Sequence, residues 1–287
     1  MEPLSRKTRL SYLIILMVTF VVLVPITLLY SSGYRLGDGL KLVKTGGIYI
    51  GLEESKADLY LDGKLSKGVG ILKNGFFVQN LTPRVYYVVV KKEGYRSWEK
   101  IIEVLPQRVS ESSAFIMPNV IPYAELVPTT SSYVTAVGLF ATSTRTMVSP
   151  ADYPEILATS TGGGKIEDVK RKGDVVLWRE GESVYARWVN KESNAPSYFC
   201  DEMNACNREI IINKKPVRSF DFHPLSNELL LLVIDDVVVM TEIDPRVPRN
   251  EQSLFKAEGV MVRTGGNSIF IKEPVAGSVK IFEYKLQ

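Results

Sequence analysis

The stretch VYYVVVKKEGYRSWEKIIEVL, residues 85–105, decides the fold class. Its two ends, 85–92 and 98–105, are short runs of β-branched and aromatic residues parted by a turn at Gly94. That composition suits a pleated, half-buried surface. Upstream, the runs GGIYIGL (46–52), ADLYLDGK (57–64) and FFVQNL (76–81) have the same texture. The second of them ends in Asp62-Gly63, a tight hairpin signal. Short strands of this kind, spaced roughly ten residues apart, predict a small β-sandwich.

Further toward the N-terminus the chain changes character. LSYLIILMVTFVVLVPITLL, from Leu10 to Leu29, holds no charged residue. About 20 helical residues at 1.5 Å each cross the roughly 30 Å hydrocarbon core of a bilayer. Pro25 inside the run is tolerated in a membrane helix, and Tyr12 and Tyr30 fall near the two interfaces. A cleaved signal peptide has a shorter apolar region and a small-x-small exit. Ser31 and Gly33 make only a weak pair of that kind, so length favours an uncleaved anchor. Orientation rests on flanking cations. Arg6, Lys7 and Arg9 precede the run, and Arg35, Lys41 and Lys44 follow it. The tie is broken by the crowding of the first three against the helix beside the α-amino group, which places the N-terminus inside. Residues 31–44, SSGYRLGDGLKLVK, carry three glycines and no period, and are expected to be a tether.

Several segments of the β region combine into a family resemblance. Gly46-Gly47 leads into the first strand, followed by Ala57-Asp58-Leu59-Tyr60-Leu61-Asp62-Gly63-Lys64. Asn80-Leu81-Thr82-Pro83 comes next, then Tyr87-Val88-Val89-Val90-Lys91-Lys92-Glu93-Gly94-Tyr95, then Trp98. This stretch resembles a PEGA domain over residues 45–118, although the tetrapeptide that names the family is here Glu54-Ser55-Lys56-Ala57. The resemblance implies a small β-sandwich module of the kind found in prokaryotic envelope proteins.

After Pro118 the texture shifts, with Pro122 and Pro128 around IPYAELV (121–127) and a Ser/Thr-rich stretch beyond, which marks a domain boundary. The remainder is again strand-like and without helical period. Its runs are DVVLWRE (174–180), SVYARWVN (183–190), EIIIN (209–213), SFDFHP (219–224), ELLLLVID (228–235), DVVVMTEID (236–244), NSIFIKE (267–273) and SVKIFEYKL (278–286). A strand–turn–strand unit recurs about every 45 residues, near the period of a propeller blade. The segment 220–227, FDFHPLSN, resembles the blade opening of TolB- or WD40-like repeats. The region has room for three to four blades at most, whereas a closed propeller takes four or more, so a partial or degenerate propeller is expected.

Composition removes several classes of function. A net charge of +3, without a Lys/Arg stripe, argues against nucleic acid. One histidine, His223, and two cysteines, Cys200 and Cys206, are too few for most zinc or iron sites. The cysteines flank Asp-Glu-Met-Asn-Ala between strand-like runs. In an exported chain that spacing favours a disulfide closing a hairpin loop over a metal pair or two free thiols.

The remaining motifs are weaker. Ser97-Trp98-Glu99-Lys100 and Lys44-Thr45-Gly46 spell two parts of a serine acyl-enzyme signature, but in reversed order and on strands. Residues i and i+3 of a strand face opposite sides, so Lys100 is not placed to activate Ser97. Gly162-Gly163-Gly164-Lys165 lacks the rest of a P-loop. Asp58 to Gly63 imitates the start of a calcium loop, with Tyr60 at the third ligand position and Val69 where the closing Glu belongs; it reads as a hairpin. Asn80-Leu81-Thr82 spells a glycosylation acceptor followed by Pro83, and is discounted. Tyr95 and Trp98 are expected in the sandwich core rather than in a sugar-stacking pair. His223, before Pro224, is expected to be structural at a blade turn.

The expected chain is therefore mainly β: a cytoplasmic tail (1–9), a transmembrane helix (10–30), a tether (31–44), a PEGA-like sandwich (45–118) and an antiparallel all-β, propeller-like domain (119–287). The expected function is a non-enzymatic envelope protein, without cofactor or metal, that binds or scaffolds on the outer side of the membrane. Its partners would be the bilayer and a cell-wall component, a surface polysaccharide or another envelope protein. Two alternatives are a hydrolase whose carboxylates Asp221, Asp235, Asp236 and Asp244 converge on one cleft, and a sensor of a small ligand in the C-terminal β domain.

Overall fold

The computed structural model describes residues 5–36, 41–52, 56–66, 75–141, 166–190, 195–200, 206–213, 215–275 and 278–286. The protein is mainly β, with one long apolar helix at its N-terminal end.

That helix, Arg6–Ser31, spans 26 residues and none of them is buried. It is long and apolar enough to cross a membrane, with a mean hydropathy of 2.8 over an 18-residue stretch. Ser5 caps it by accepting a hydrogen bond from the Thr8 amide at 3.2 Å. The apolar run 10–29 lies wholly within it, and Arg6, Lys7 and Arg9 occupy its opening turns.

Residues 31–44, expected as a tether, instead hold a two-stranded hairpin, Tyr34–Leu36 with Leu42–Lys44. This hairpin is tied to both neighbours. Arg35 Nη1 donates to the Tyr30 carbonyl at 2.7 Å, and its guanidinium stacks 3.6 Å above the Tyr30 ring. The Thr45 amide and hydroxyl both donate to the Gly33 carbonyl at 2.9 Å, and Gln107 Nε2 donates to the Ser32 carbonyl at 3.2 Å. The helix end is thus bonded to the β region.

Residues 45–113 form the expected two-sheet arrangement. One sheet has the order Gly75–Leu81, Gly46–Gly51, Val109–Ser113, and its second pair is parallel. The other runs Lys64–Ser66, Asp58–Leu61, Val85–Lys91, Trp98–Glu103, all antiparallel. Alternation sends Tyr86, Val88 and Val90 inward to meet Ile48, Ile50, Trp98 and Ile102. Asp62 and Gly63 both take positive φ, 49° and 76°, as the tight hairpin requires. Gly46 has to lack a side chain, because a Cβ there would lie 2.2 Å from the Leu105 carbonyl oxygen.

Three four-stranded antiparallel sheets follow, here called blades. The first comprises Ile166–Lys172, Val175–Glu180, Ser183–Trp188 and Ile210–Ile211. The second comprises Ser219–Phe222, Leu229–Ile234, Val237–Glu242 and Glu251–Lys256. The third comprises Met261–Gly265, Ser268–Val275 and Ser278–Lys285, and its fourth strand is Ala124–Glu125, from upstream of the first blade. The opening strands of the first two blades adjoin, with Lys170 Nζ donating to the Phe220 carbonyl at 2.7 Å. Among the described residues the C-terminal region thus holds three four-stranded antiparallel sheets.

Among the described residues, one α-helix and a short 3-10 turn, Ser197–Phe199, interrupt the β pattern. Ser131–Ala141 lays Ala136, Tyr133, Leu139 and Phe140 on Phe270 and Ile281 of the third blade. The sandwich and the blades also share a core, because a single apolar cluster runs from Ile48, Leu59 and Trp98 to Leu231, Val238, Val262 and Ile271. The chain around Pro118 links the two, with Ala114 to Met117 buried between them. A second cluster joins the first two blades through Leu177, Phe199, Phe220 and Leu232.

Candidate functional site

The seam between sandwich and second blade is where the polar chemistry of the chain collects. The strand Trp98–Glu103 alternates so that Trp98, Lys100 and Ile102 face inward. Lys100 has no exposed surface, and its ammonium forms an ion pair with Glu242 and lies 3.7 Å from Asp244. Glu242 also accepts from Trp98 Nε1 at 3.1 Å and from Asn250 Nδ2 at 2.8 Å. Asp244 accepts from the Ser112 hydroxyl at 3.2 Å and is clasped by Arg246, whose Nε lies 2.9 Å from Oδ1. Arg246 reaches on to the Glu111 carbonyl, and the Ile101 amide donates to the Val247 carbonyl at 2.8 Å. Charges removed from water in this way persist only when paired and hydrogen-bonded.

The same surroundings displace the titrations. Burial pushes the Glu242 carboxyl up, against the pull of Lys100 and Asn250. Burial also pushes Asp244 up, but the hydrogen bonds and charge of Arg246, with Lys100, outweigh it and hold that carboxyl below its usual range. Glu228 is raised by burial, although it accepts from Tyr198 Oη at 3.0 Å. Burial, with Glu228 nearby, raises the Tyr198 phenol well above its ordinary value.

Beside this network lies a cleft of about 500 Å³. One wall is the chain leaving the sandwich, from Ser113 to Pro118, together with Leu52. Opposite are the His223–Leu229 turn and Met240 of the second blade, and Tyr284 to Leu286 of the third complete it. His223 is 6% exposed, and its Nδ1 is buried without a hydrogen-bond partner. Burial, aided by the positive charge of Lys172, lowers the imidazole to about 4, so the ring is neutral at physiological pH. Lys172 Nζ is itself spent on the carbonyls of His223 and Pro224.

Of the four carboxylates considered for a hydrolase, none lines this cleft. Asp221 pairs with Lys170 at 2.9 Å, Asp235 with Lys215 at 3.4 Å, and Asp236 with Arg218, while Asp244 belongs to the seam. Asp235 and Asp236 form the positive-φ turn between two blade strands, which explains both residue types there. Among the described residues no three His, Cys, Asp or Glu side chains are grouped to hold a metal.

The other motifs resolve locally. Ser97 is exposed and Lys100 is buried on the opposite face, so the acyl-enzyme spelling has no geometry behind it. Lys44 Nζ donates to Gln107 Oε1 at 3.2 Å, and Thr45 is bonded to the helix end. Trp98 is in the core, while Tyr95 lines the cleft with Lys92 4.1 Å above its ring. Cys200 and Cys206 are bonded, with an S–S distance of 1.99 Å. Residues 162–165 and Val69 lie outside the described residues. The composition of the seam could not be anticipated, because its partners come from separate parts of the chain and, Trp98 apart, each is an ordinary surface residue by type.

Comparison with protein-family models gives no match, and comparison with curated proteins gives none either. Among solved structures, the chain is similar to one described as the AfRom2 CNH domain, at 12% identity over 77% of this chain and 70% of that one, with a TM-score of 0.29. A likeness at that level carries no argument.

Proposed function

We propose that this protein is a single-pass, membrane-anchored binding module of the cell envelope, with a PEGA-type sandwich and a partial propeller held on the outer face of the membrane. The observation that carries this is the joint below the helix. Arg35, Thr45 and Gln107 bond the end of a membrane-length helix to a β body whose two parts share one core. A body docked this way is held close to the bilayer surface in a set orientation, which suits presentation of a binding face. Its partner in this proposal is a cell-wall component, a surface polysaccharide or another envelope protein, and its role is non-enzymatic.

The cysteines supply the test. Intact cells carrying the full chain are treated with a membrane-impermeant phosphine and then an impermeant maleimide. Labelling of Cys200 and Cys206 without lysis supports the outward placement. Labelling only after lysis inverts the topology. Retention of the full chain on isolated envelope material, lost when the material is digested, identifies the partner class.

A further inference from the structure

From the hairpin and the turn that close on the end of the long helix, we infer a docking surface for anionic phospholipid. Arg35, Lys41, Lys44 and Arg108 take the headgroup phosphates of the leaflet in which the helix ends. The inference rests on the reading of that helix as a membrane anchor, and it holds whichever side of the membrane the body occupies.

Depth is the first argument. From Arg9 to Ser31 the helix rises about 33 Å at 1.5 Å per residue, close to the roughly 30 Å hydrocarbon core. With Arg9 at one interface, Ser31 stands at the other. The hairpin keeps that level because it is bonded to the last turn of the helix. Arg35 Nη1 donates to the Tyr30 carbonyl, and its guanidinium lies 3.6 Å from the Tyr30 ring centroid. Gln107, in the turn 105–109, donates from Nε2 to the Ser32 carbonyl and from its amide to the Thr45 carbonyl. Its Oε1 accepts from Lys44 Nζ, which lies 5.5 Å from the Tyr34 ring centroid. Two tyrosines, each with a cation over its ring, match the headgroup layer, where amphipathic rings and basic side chains concentrate.

Charge is the second. Residues 30–36, 41–47 and 104–109 hold those four cations and no carboxylate. Arg35 and Lys44 are bonded to neutral groups, backbone carbonyls and a side-chain amide, so their charge is not cancelled locally. Lys41 and Arg108 are exposed. The negative end of the helix dipole accounts for Arg35 alone, since it acts only within about a turn. Exposed apolar surface is the third. Leu36 and Leu42 stand directly opposite each other on one face of the hairpin, 69% and 55% exposed. At the boundary between headgroups and acyl chains such a pair is covered.

Cys200 and Cys206 are bonded to each other, so Leu36→Cys supplies the only free thiol for a bimane label. The full chain is placed in nanodiscs of phosphatidylcholine, or of phosphatidylcholine and phosphatidylglycerol in equal parts. Both kinds of disc contain a phospholipid whose headgroup nitroxide quenches bimane on contact. Quenching is expected to be at least about twofold stronger in the anionic discs. That excess should vanish in K41Q/K44Q/R108Q, and in the labelled chain at about 1 M salt, where the screening length is about 3 Å. The salt measurement decides if the triple variant fails to fold. Val120→Cys is the distance control. Gly46–Gly51 and Val109–Ser113 run in parallel away from the helix end, and Val120 lies beyond them, 84% exposed. Its label should stay unquenched in both discs. Equal quenching of the Leu36 label in the two discs overturns the inference, as does an excess that survives both salt and substitution. Equal quenching at Val120 and Leu36 also overturns it. A chain that enters no disc defeats the anchor reading and this inference with it, whereas a chain that enters and shows no quenching at Leu36 overturns this inference alone. Both faces of a disc are open, so an inverted topology in cells leaves the measurement untouched.

Discussion

His223 is where a single residue decides most. As the lone imidazole it stands out in the sequence, and its position before Pro224 at the end of a strand is legible there too. Its surroundings are not, because they come from residues as far apart as Gly51 and Leu286. That burial has a pH signature. In the unfolded chain the ring titrates near its ordinary 6.5, and in the folded chain near about 4. Above pH 6.5 both states are neutral and the residue adds no slope. Between 6.5 and 4 the unfolded chain takes up a proton that the folded chain refuses, so stability falls as pH falls, and below about 4 the slope vanishes. The full cost is about 3 kcal/mol by the usual conversion. Urea unfolding at pH 7 and pH 4 should show that loss in the native chain and lack it in His223→Gln. The raised carboxyls Glu228 and Glu242 slope the opposite way and are common to both proteins, so the difference isolates the ring. Equal pH profiles would show that the ring is not buried as described.

Between elements, the strands Trp98–Glu103 and Val237–Glu242 are held at their crossing by Lys100 and Glu242. Removing one member leaves an uncompensated buried charge, so Lys100→Met should cost about 3–5 kcal/mol. Glu242→Gln removes the charge and keeps a single acceptor oxygen for the donors Trp98 Nε1 and Asn250 Nδ2. The double variant should therefore be less destabilised than the sum of the single variants, with a coupling of at least about 1 kcal/mol in a double-mutant cycle. Additive losses would mean the two do not form a pair.

The strands legible in sequence were those with a buried face, such as Val85–Lys91 and Leu229–Ile234. Those that escaped are polar. Ile166–Lys172 reads IEDVKRK because its charges are consumed by neighbours: Asp168 by Arg179, and Lys170 by Asp221. Val109–Ser113 reads VSESS because it adds in parallel to one side of Gly46–Gly51, with Ser112 serving the seam. The helix Ser131–Ala141 escaped because it buries only Ala136 fully, and a Ser/Thr-rich lead hid its pattern.

For the molecule as a whole, the sequence boundary at Pro118 separates two architectures but not two cores. Ile48, Trp98, Leu231 and Ile271 belong to one apolar cluster, so sandwich and blades should melt together. Trp98 reports on the sandwich, and Trp178 and Trp188 on the first blade. Fluorescence of variants retaining one tryptophan each should give coincident denaturation midpoints, and resolved midpoints would restore two independent domains.

The upstream strand that completes the third blade has a consequence for the order in which the chain can fold. Ala124 pairs with Glu283, so one edge of that blade leaves the ribosome long before its neighbour exists. Sandwich strands can pair as they are made, but the third blade waits for Ser278–Lys285. Until then Ala124–Glu125 has no ladder to join, and the pairing closes a loop that contains both other blades. Synthesis, rather than local propensity, sets when this sheet closes, and a chain interrupted before residue 278 keeps an open edge that a neighbouring strand is free to occupy.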